Sequence, residues 1–195
     1  TRRAILDYVS GGGTLYFSGA GEPTLLKTLL GAECTGETPD AYNYLAPTAC
    51  GAAVLDGFND KYPLPIPDAL PIVTGVAPEY IAATITLPYQ PQAPGQFASI
   101  HSNPPGMPTA HPGLVIRPYG AGTVIWCAGP LESMDTEAYR TVLLRLLADA
   151  LPESDRLICT DAPKSIELVP SAADDRMRIS AVALTEEDEA VLQPP

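Results

Sequence analysis

Few residues of this chain can do covalent chemistry: its 195 residues include two histidines and four cysteines. An exposed nucleophile needs a strained turn, and neither of the patterns that build one, GxSxG and GxCxG, occurs in the sequence. Cys127 stands in the sequence WCAG and Cys50 in ACG, so both lack the flanking glycines. We therefore predict that Cys127 is a core residue. A small hydrolase or amidotransferase that uses Cys127 and His101 is the least favoured function.

The cysteines Cys34, Cys50, Cys127 and Cys159 have neither CxxC spacing nor a nearby histidine, so the sequence predicts no metal site. We expect reduced and mostly buried thiols, with a Cys34 to Cys50 disulfide as the alternative if the parent protein is secreted. The glycines at 11–13 follow a predicted helix and precede a strand, the reverse of the order in a phosphate-binding loop. They indicate a helix end, and we expect no cofactor.

A segment with binding chemistry runs from residue 97 to residue 106, FASIHSNPPG. His101, Ser102 and Asn103 place an imidazole, a hydroxyl and an amide side by side, ahead of a rigid Pro-Pro-Gly turn. These three residues, together with Tyr44, are our candidates for binding or subunit contact. They could donate hydrogen bonds to sugar hydroxyls or to the backbone of a partner. The more conservative interpretation is that they satisfy backbone groups of their own loop.

A carbohydrate-binding module is the alternative function, in which Tyr42, Tyr44, Tyr89 and Trp126 stack on sugar rings. Only 7% of the residues are aromatic and Trp126 falls in a predicted buried strand, which weakens this alternative. The acids Asp56, Asp60, Asp68 and Glu79 are expected to be solvated loop caps. They do not indicate a glycosidase pair, because the sequence gives no separation between the carboxylates.

The composition limits the partners. With 23 acidic and 11 basic residues the formal net charge is −12, which argues against nucleic acid or an anionic membrane as a partner. The chain is 46% hydrophobic, enough for a packed core. It has no apolar run of about 20 residues and no signal-peptide profile, and it starts at Thr1 without an initiator Met. We expect a piece of a longer polypeptide of unknown compartment, with the cytoplasm slightly favoured.

The spacing of apolar residues, together with the positions of glycine and proline, predicts the elements of an α/β fold. Helices are predicted at 2–10, at 23–30 and from Ser133 or Asp135 to about 151. Strands are predicted at 14–17, 80–87, 113–118, 123–127, 157–160, 165–169 and 177–183. Between residues 32 and 78 the prolines predict short strands and extended loops, and residues 88–113 are predicted to be a long loop.

Four blocks carry a resemblance to a known family: LDYVSGGGTLYFSG at 6–19, LLGAECTGETPDAYNYLAP at 29–47, FASIHSNPPG at 97–106 and YGAGTVIWCAGPLE at 119–132. Together they resemble a class I glutamine-amidotransferase-like domain. The version most similar is the one carried behind the catalytic barrel of certain glycoside hydrolases, akin to the β-galactosidase trimerisation domain. The likeness covers roughly residues 2–160.

The resemblance implies a flavodoxin-like, three-layer sheet with flanking helices, and no amidotransferase chemistry. The family's N-terminal strand and helix units are missing, and only the first hairpin of its C-terminal β-sandwich is present. We therefore expect an incomplete α/β domain at 1–162, and at 163–195 the truncated start of a β domain with an acidic tail. The implied function is a noncatalytic structural or oligomerisation domain. Its partners would be other domains or subunits of the parent enzyme, with a second copy of this chain among them. An oligosaccharide would be a further partner. The substrates of the parent enzyme would be galactosides or fucosides.

Overall fold

The computed structural model describes residues 2–90, 103–151, 158, 160–163, 165–173 and 176–183. His101, Ser102 and Cys159 lie outside these ranges, as do half of the predicted strand at 157–160 and the acidic tail. The chain divides into two compact units, Thr1–Ala150 and Leu151–Pro195. None of the helices in the described ranges is long and apolar enough to cross a membrane.

The first unit confirms the three predicted helices, but the third begins at Glu137 and not at Ser133 or Asp135. Helix α1 spans Arg2–Ser10 and ends where the Gly13 amide bonds back to the Tyr8 carbonyl. Helix α2, Pro23–Leu25, is capped by the Glu22 carboxylate and continues as a π-helical turn, Leu26–Leu30. Gly31 then stops it with a φ of 67°, a conformation that glycine adopts without strain. Helix α3 spans Glu137–Ala150.

Eight strands belong to this unit: β1 Thr14–Ser18, β2 Glu33–Glu37, β3 Asn43–Pro47, β4 Leu64–Ile66, β5 Pro71–Thr74, β6 Ile81–Pro88, β7 Pro105–Tyr119 and β8 Gly122–Cys127. Six of them form a sheet in the order β1-β8-β7-β6-β3-β4, and β2 pairs with β5 in a second, small sheet. Among the described strands, β1 and β8 are the only neighbours that pair in parallel. The class is thus α/β with a mixed sheet, and the parallel pairing of a flavodoxin-like sheet is limited to one pair.

Strand β7 corrects the prediction of a loop at 88–113. The strand begins at Pro105, and its pairing with β6 shifts register at several points, with Pro108 opposite Thr86 and Pro112 opposite Thr84. Proline has no N–H to donate, so irregular pairing is the form in which a strand tolerates it. Residues 105–111 alternate between half-buried and exposed side chains, as expected for a strand.

The core of the first unit lies between the sheet and the helices. Strands β3, β6, β7 and β8 contribute side chains that are fully buried, and α3 and the π-helical turn cover them. The largest of these side chains include Trp126, Leu45, Ile85, Leu114, Leu26 and Leu29. This burial of apolar area is the main stabilising term for the unit.

The second unit contains the predicted hairpin, formed by β9, Ile166–Ala173, and β10, Arg176–Ala183. The strands pair antiparallel and are longer than predicted. One face of the hairpin is entirely apolar, because the alternate residues of both strands that share it are Ile166, Leu168, Pro170, Ala172, Met177, Ile179, Ala181 and Ala183. The opposite face is mixed.

Candidate functional site

The strand directions bring the candidate residues to one edge of the six-stranded sheet. Strands β1, β6 and β8 all point the same way, while β3 and β7 run opposite to them. The last residues of β1, β6 and β8 therefore lie beside the first residues of β3 and β7. We call this the carboxyl edge. In α/β folds it is the edge at which ligands usually bind.

Two of the four candidate residues meet at the carboxyl edge. Tyr44, the second residue of β3, donates its hydroxyl hydrogen to the backbone carbonyl of Asn103, just before β7. The Asn103 side chain accepts from the Gln90 amide at 3.1 Å and donates to the Gln90 carbonyl at 2.7 Å. The Tyr89 amide also donates to the Pro104 carbonyl, at 2.7 Å. Asn103 thus joins the two ends of the segment that holds His101 and Ser102.

The aromatic residues proposed for sugar stacking differ in their exposure. Trp126 is fully buried and its indole nitrogen donates to the Gly19 carbonyl at 2.9 Å, so its faces are not available. Tyr44 is buried too, in an edge-to-face contact with Tyr42 at 5.5 Å between ring centroids. Burial and the neighbouring Tyr42 raise the pKa of Tyr44. Of these four aromatic residues, Tyr42, 40% exposed, and Tyr89, 72% exposed, present ring surface to solvent.

A second cluster at the carboxyl edge was missed by sequence reasoning. Tyr16 and Ser18 project from the same face of β1. Glu132 lies in a 3-10 turn, Leu131–Ser133, that follows β8. The Tyr16 hydroxyl donates to Glu132 Oε2 at 2.7 Å, and the Ser18 hydroxyl donates to Oε1 at 2.5 Å. Both carboxylate oxygens are therefore held by hydroxyl donors. The only sequence signal was an acid placed shortly after a strand.

The electrostatics of this cluster favour an ionised carboxylate. Burial by itself would raise the pKa of Glu132, but the hydrogen bonds from Ser18 and Tyr16 outweigh it and lower that pKa below its usual value. The pKa of Tyr16 moves the other way: burial raises it most, and Cys127 and Glu132 raise it further. Tyr16 is thus a neutral hydrogen-bond donor to an anionic Glu132.

A groove of about 400 Å³ opens beside Glu132. Its apolar side chains are Leu131, Met134 and Leu143, and its charged ones are Glu132, Asp135 and Arg140. Arg140 and Asp135 form an exposed ion pair at 2.9 Å.

The cysteines show no reactive arrangement in the part of the chain that the structure describes. Cys127 is fully buried at the end of β8, as predicted, and burial raises the pKa of its thiol to about 12. Cys34 and Cys50 are free and exposed, so the prediction that the thiols are mostly buried was wrong for this pair. Both lie on surface segments, and Cys50 donates to the Ile81 carbonyl at 2.9 Å. Within the described ranges no group of three His, Cys, Asp or Glu side chains could hold a metal.

No protein-family model and no curated protein matches the chain. Solved structures do. The β-galactosidase of Rahnella sp. R3 matches 86% of this chain with 23% of its own, at 17% identity and a TM-score of 0.55. The GH42 β-galactosidase Gan42B of G. stearothermophilus matches 94% of this chain with 24% of its own, at 12% identity and a TM-score of 0.60.

This chain has the fold of one part of these β-galactosidases and spans about a quarter of their length. A cytoplasmic protein of Salmonella typhimurium LT2 shares the fold as well. It matches 76% of this chain with 59% of its own, at 17% identity and a TM-score of 0.53. Fold similarity at these identities does not carry activity with it, so function has to be argued from the site.

Proposed function

We propose that this chain is a noncatalytic, glutamine-amidotransferase-like domain of a glycoside hydrolase, and that it holds other domains or subunits of its parent enzyme in place. The observation that carries the proposal is the unequal coverage. Nearly the whole chain, 94% of it, aligns with only 24% of a β-galactosidase. A domain of a larger enzyme would give such a match.

The chemistry of the carboxyl edge supports a role without catalysis. The thiol nearest to the position of a nucleophile, Cys127, is buried and protonated. The carboxylate of Glu132, which follows β8 at this edge, is ionised and held by two hydroxyls, so it is a poor proton donor at neutral pH. The protonated thiol is therefore not suited to attack a glycosidic bond, and the ionised carboxylate is not suited to protonate one.

The same edge also offers surface for a protein contact. Tyr89 is 72% exposed and Tyr42 is 40% exposed, and tyrosines are enriched in the energetic centres of protein interfaces. Asn103 ties both ends of the segment next to Tyr89, so the backbone that presents this tyrosine is held in place. We propose this surface, Tyr42 and Tyr89, as the contact with a second copy of the chain.

The test measures self-association and hydrolysis on the purified chain. Light scattering over a concentration series should show an oligomer, and Tyr89→Ser should weaken its association by about tenfold, the effect of losing roughly 1.4 kcal/mol. The control is Tyr62→Ser. Tyr62 is 66% exposed but precedes β4, whose amino end lies at the opposite edge of the sheet, so this change should have no effect.

Aryl galactosides and aryl fucosides should not be hydrolysed faster than in buffer. A chain that stays monomeric at all concentrations would overturn the oligomerisation role. Hydrolysis that survives purification and is abolished by Cys127→Ser or Glu132→Gln would overturn the noncatalytic assignment.

A further inference from the structure

We infer that strand β1 pairs antiparallel with the β1 strand of a second copy of this chain, along its outer side, the side that faces away from β8. Strand β1 is the first in the sheet order, and β8 is the one described strand beside it. The outer side of β1 is separate from the surface of Tyr42 and Tyr89, which lie next to β3 and β6. This inference therefore does not rest on the proposed function.

The backbone of β1 has unused hydrogen-bonding groups on its outer side. The Gly13 carbonyl just before the strand and the Gly19 amide just after it both bond to β8, at 3.2 and 3.0 Å. In a strand, the backbone groups of alternate residues point to the same side, so the odd-numbered positions of β1 face β8. The N–H and C=O groups of Thr14, Tyr16 and Ser18 therefore point outward, where they find no partner among the described strands.

The sequence of β1 lacks the features that keep edge strands apart. Natural proteins protect such edges with charged side chains, with proline or with very short strands. The strand at the other end of this sheet, β4, has three residues with Pro65 at its centre. Strand β1 has five residues, TLYFS, without charge, proline or glycine, and all five are partly exposed. An edge strand of this kind is expected to pair with another strand.

The sequence of β1 is complementary to itself in an antiparallel pair centred on Tyr16. The outward backbone groups then meet each other, with Tyr16 opposite Tyr16 and each Thr14 opposite a Ser18 of the other copy. This register forms about six hydrogen bonds between the strands. On one face Leu15 lies opposite Phe17, an apolar cross-strand pair, and on the other face hydroxyl side chains lie opposite one another. A two-fold axis through this pair gives a closed dimer.

Helix α3 lies along β1, on the face that carries Tyr16. The Ala150 carbonyl at the end of α3 is 3.5 Å from Thr14 Oγ1, at the start of β1. The turn before α3 reaches Ser18, at the other end of β1, through Glu132. A copy paired to β1 therefore brings a second α3 alongside the first.

The flank of α3 on the β1 side is apolar and exposed. Arg145 points the other way, because its guanidinium donates to the Asp56 carbonyl at 2.7 Å, in the segment that follows β3. Leu147 lies about 200° around the helix from Arg145, so it is on the β1 flank. Leu144 and Leu147 are 58% and 39% exposed. Their contact with the second α3 removes apolar surface from water.

The combined surface is large enough for a dimer. Interfaces carry roughly one hydrogen bond per 100–200 Å², so about six bonds between the strands correspond to about 600–1,200 Å². A specific interface needs about 1,000 Å² or more. The strands alone lie near this limit and the leucines of α3 add to them, so we expect a Kd on the order of micromolar.

The experiment measures hydrogen exchange of single backbone amides at chain concentrations well below and well above the Kd. The amides of Tyr16 and Ser18 should become protected only at the higher concentration, because they are free in the monomer. Those of Leu15 and Phe17, which face β8, should be protected at both concentrations. Tyr89→Ser should leave this pattern unchanged, so the two proposed contacts can fail separately.

Two variants test the two parts of the surface, with the emission of Trp126 as the check that the first unit is folded. Leu144→Glu should weaken association about tenfold or more, since it places like charges opposite each other in the dimer. Its matched control is Tyr62→Glu, which adds the same charge at a residue that is 66% exposed at the opposite edge, and it should have no effect. Thr14→Pro removes an outward N–H at the first position of the strand, where proline is tolerated, and should weaken association several-fold.

The inference is overturned if the chain stays monomeric at all concentrations, which is the outcome expected if a different polypeptide occupies this side of β1. It is equally overturned if the amides of Tyr16 and Ser18 exchange as fast in an oligomer as in the monomer. Equal association of Leu144→Glu and Tyr62→Glu would exclude the part assigned to α3.

Discussion

The amide of Asn43 anchors the start of β3, and its removal is expected to destabilise the first unit strongly. The side chain is fully buried. Its nitrogen lies 2.9 Å from Thr38 Oγ1, 2.7 Å from the Asp40 carbonyl and 2.8 Å from the Asp68 carbonyl. One side chain thus joins the segment before β3 to the segment after β4. Both segments support the strand that presents Tyr44 at the carboxyl edge.

The expected cost of Asn43→Ala follows from this bond count. Two amide hydrogens serve three acceptors, so about two full hydrogen bonds are lost, each with a net value of about 0.5–1.5 kcal/mol. The Asp40 carbonyl keeps the Thr38 hydroxyl as a donor, so the Asp68 carbonyl is the acceptor that loses its Asn43 partner, which adds about 1–3 kcal/mol if it finds no new one. We expect a loss of about 3 kcal/mol in the free energy of unfolding. For a chain of this size that lowers Tm by about 6–12 °C.

Urea unfolding followed by tryptophan fluorescence measures this loss. Trp126 is the one tryptophan of the sequence and is fully buried in the first unit, so its emission reports the unfolding of that unit. The control is Asn59→Ala, an exposed asparagine that accepts hydrogen bonds from two backbone amides in its own turn. Its cost should stay near 1 kcal/mol. If Asn43→Ala costs no more than this control, the buried network does not anchor β3 as argued.

Two further predictions concern the carboxyl edge. Because the folded state lowers the pKa of Glu132, the ionised carboxylate stabilises the fold above the usual carboxyl pKa of 4.5, and that contribution is lost as the pH falls through the folded pKa. The difference in urea midpoint between wild type and Glu132→Gln should therefore shrink from pH 6 to pH 3, and a difference that grows would contradict the assigned hydrogen bonds. Burial raises the pKa of Cys127 to about 12, so iodoacetamide at pH 8 should label Cys34 and Cys50 in the native chain and Cys127 only after unfolding. Peptide mass spectrometry measures the labelling of each cysteine. Labelling of Cys127 in the native chain at the same rate as Cys34 and Cys50 would refute its burial.

Elements with local signals could be predicted from the sequence, and β7 shows where such signals fail. Helix α1 ends at a run of glycines, and α2 starts at a proline, so both are specified by neighbouring residues. In β7 the prolines at 105, 108 and 112 predict a loop, yet the strand forms. Its partner β6 lies in the middle of the sheet and pairs with it irregularly, so long-range pairing outweighs the local preference.

The same distinction holds for the site. Asn103 was a candidate because it precedes a rigid Pro-Pro-Gly turn, and the structure places it against Tyr44. Glu132 lies 114 positions from Ser18 in the sequence, and the two meet only because β1 and β8 pair in parallel. No alternation or spacing within either segment indicates that pairing. A contact of this kind becomes visible only when the strand order is known.

The position of Cys127 gives the strongest chemical argument for the proposed noncatalytic role. The residue ends β8 at the edge where an α/β enzyme would present a nucleophile, yet the indole of the preceding Trp126 and the thiol are both buried. With a pKa of about 12, the thiolate fraction at pH 7 is on the order of one in 10⁵. Activation would need a nearby positive charge or a base, whereas the charged group that acts on this thiol is the carboxylate of Glu132, which raises the pKa further. The end of β8 therefore keeps the thiol unreactive, as expected for a domain whose proposed role is contact with other domains or subunits.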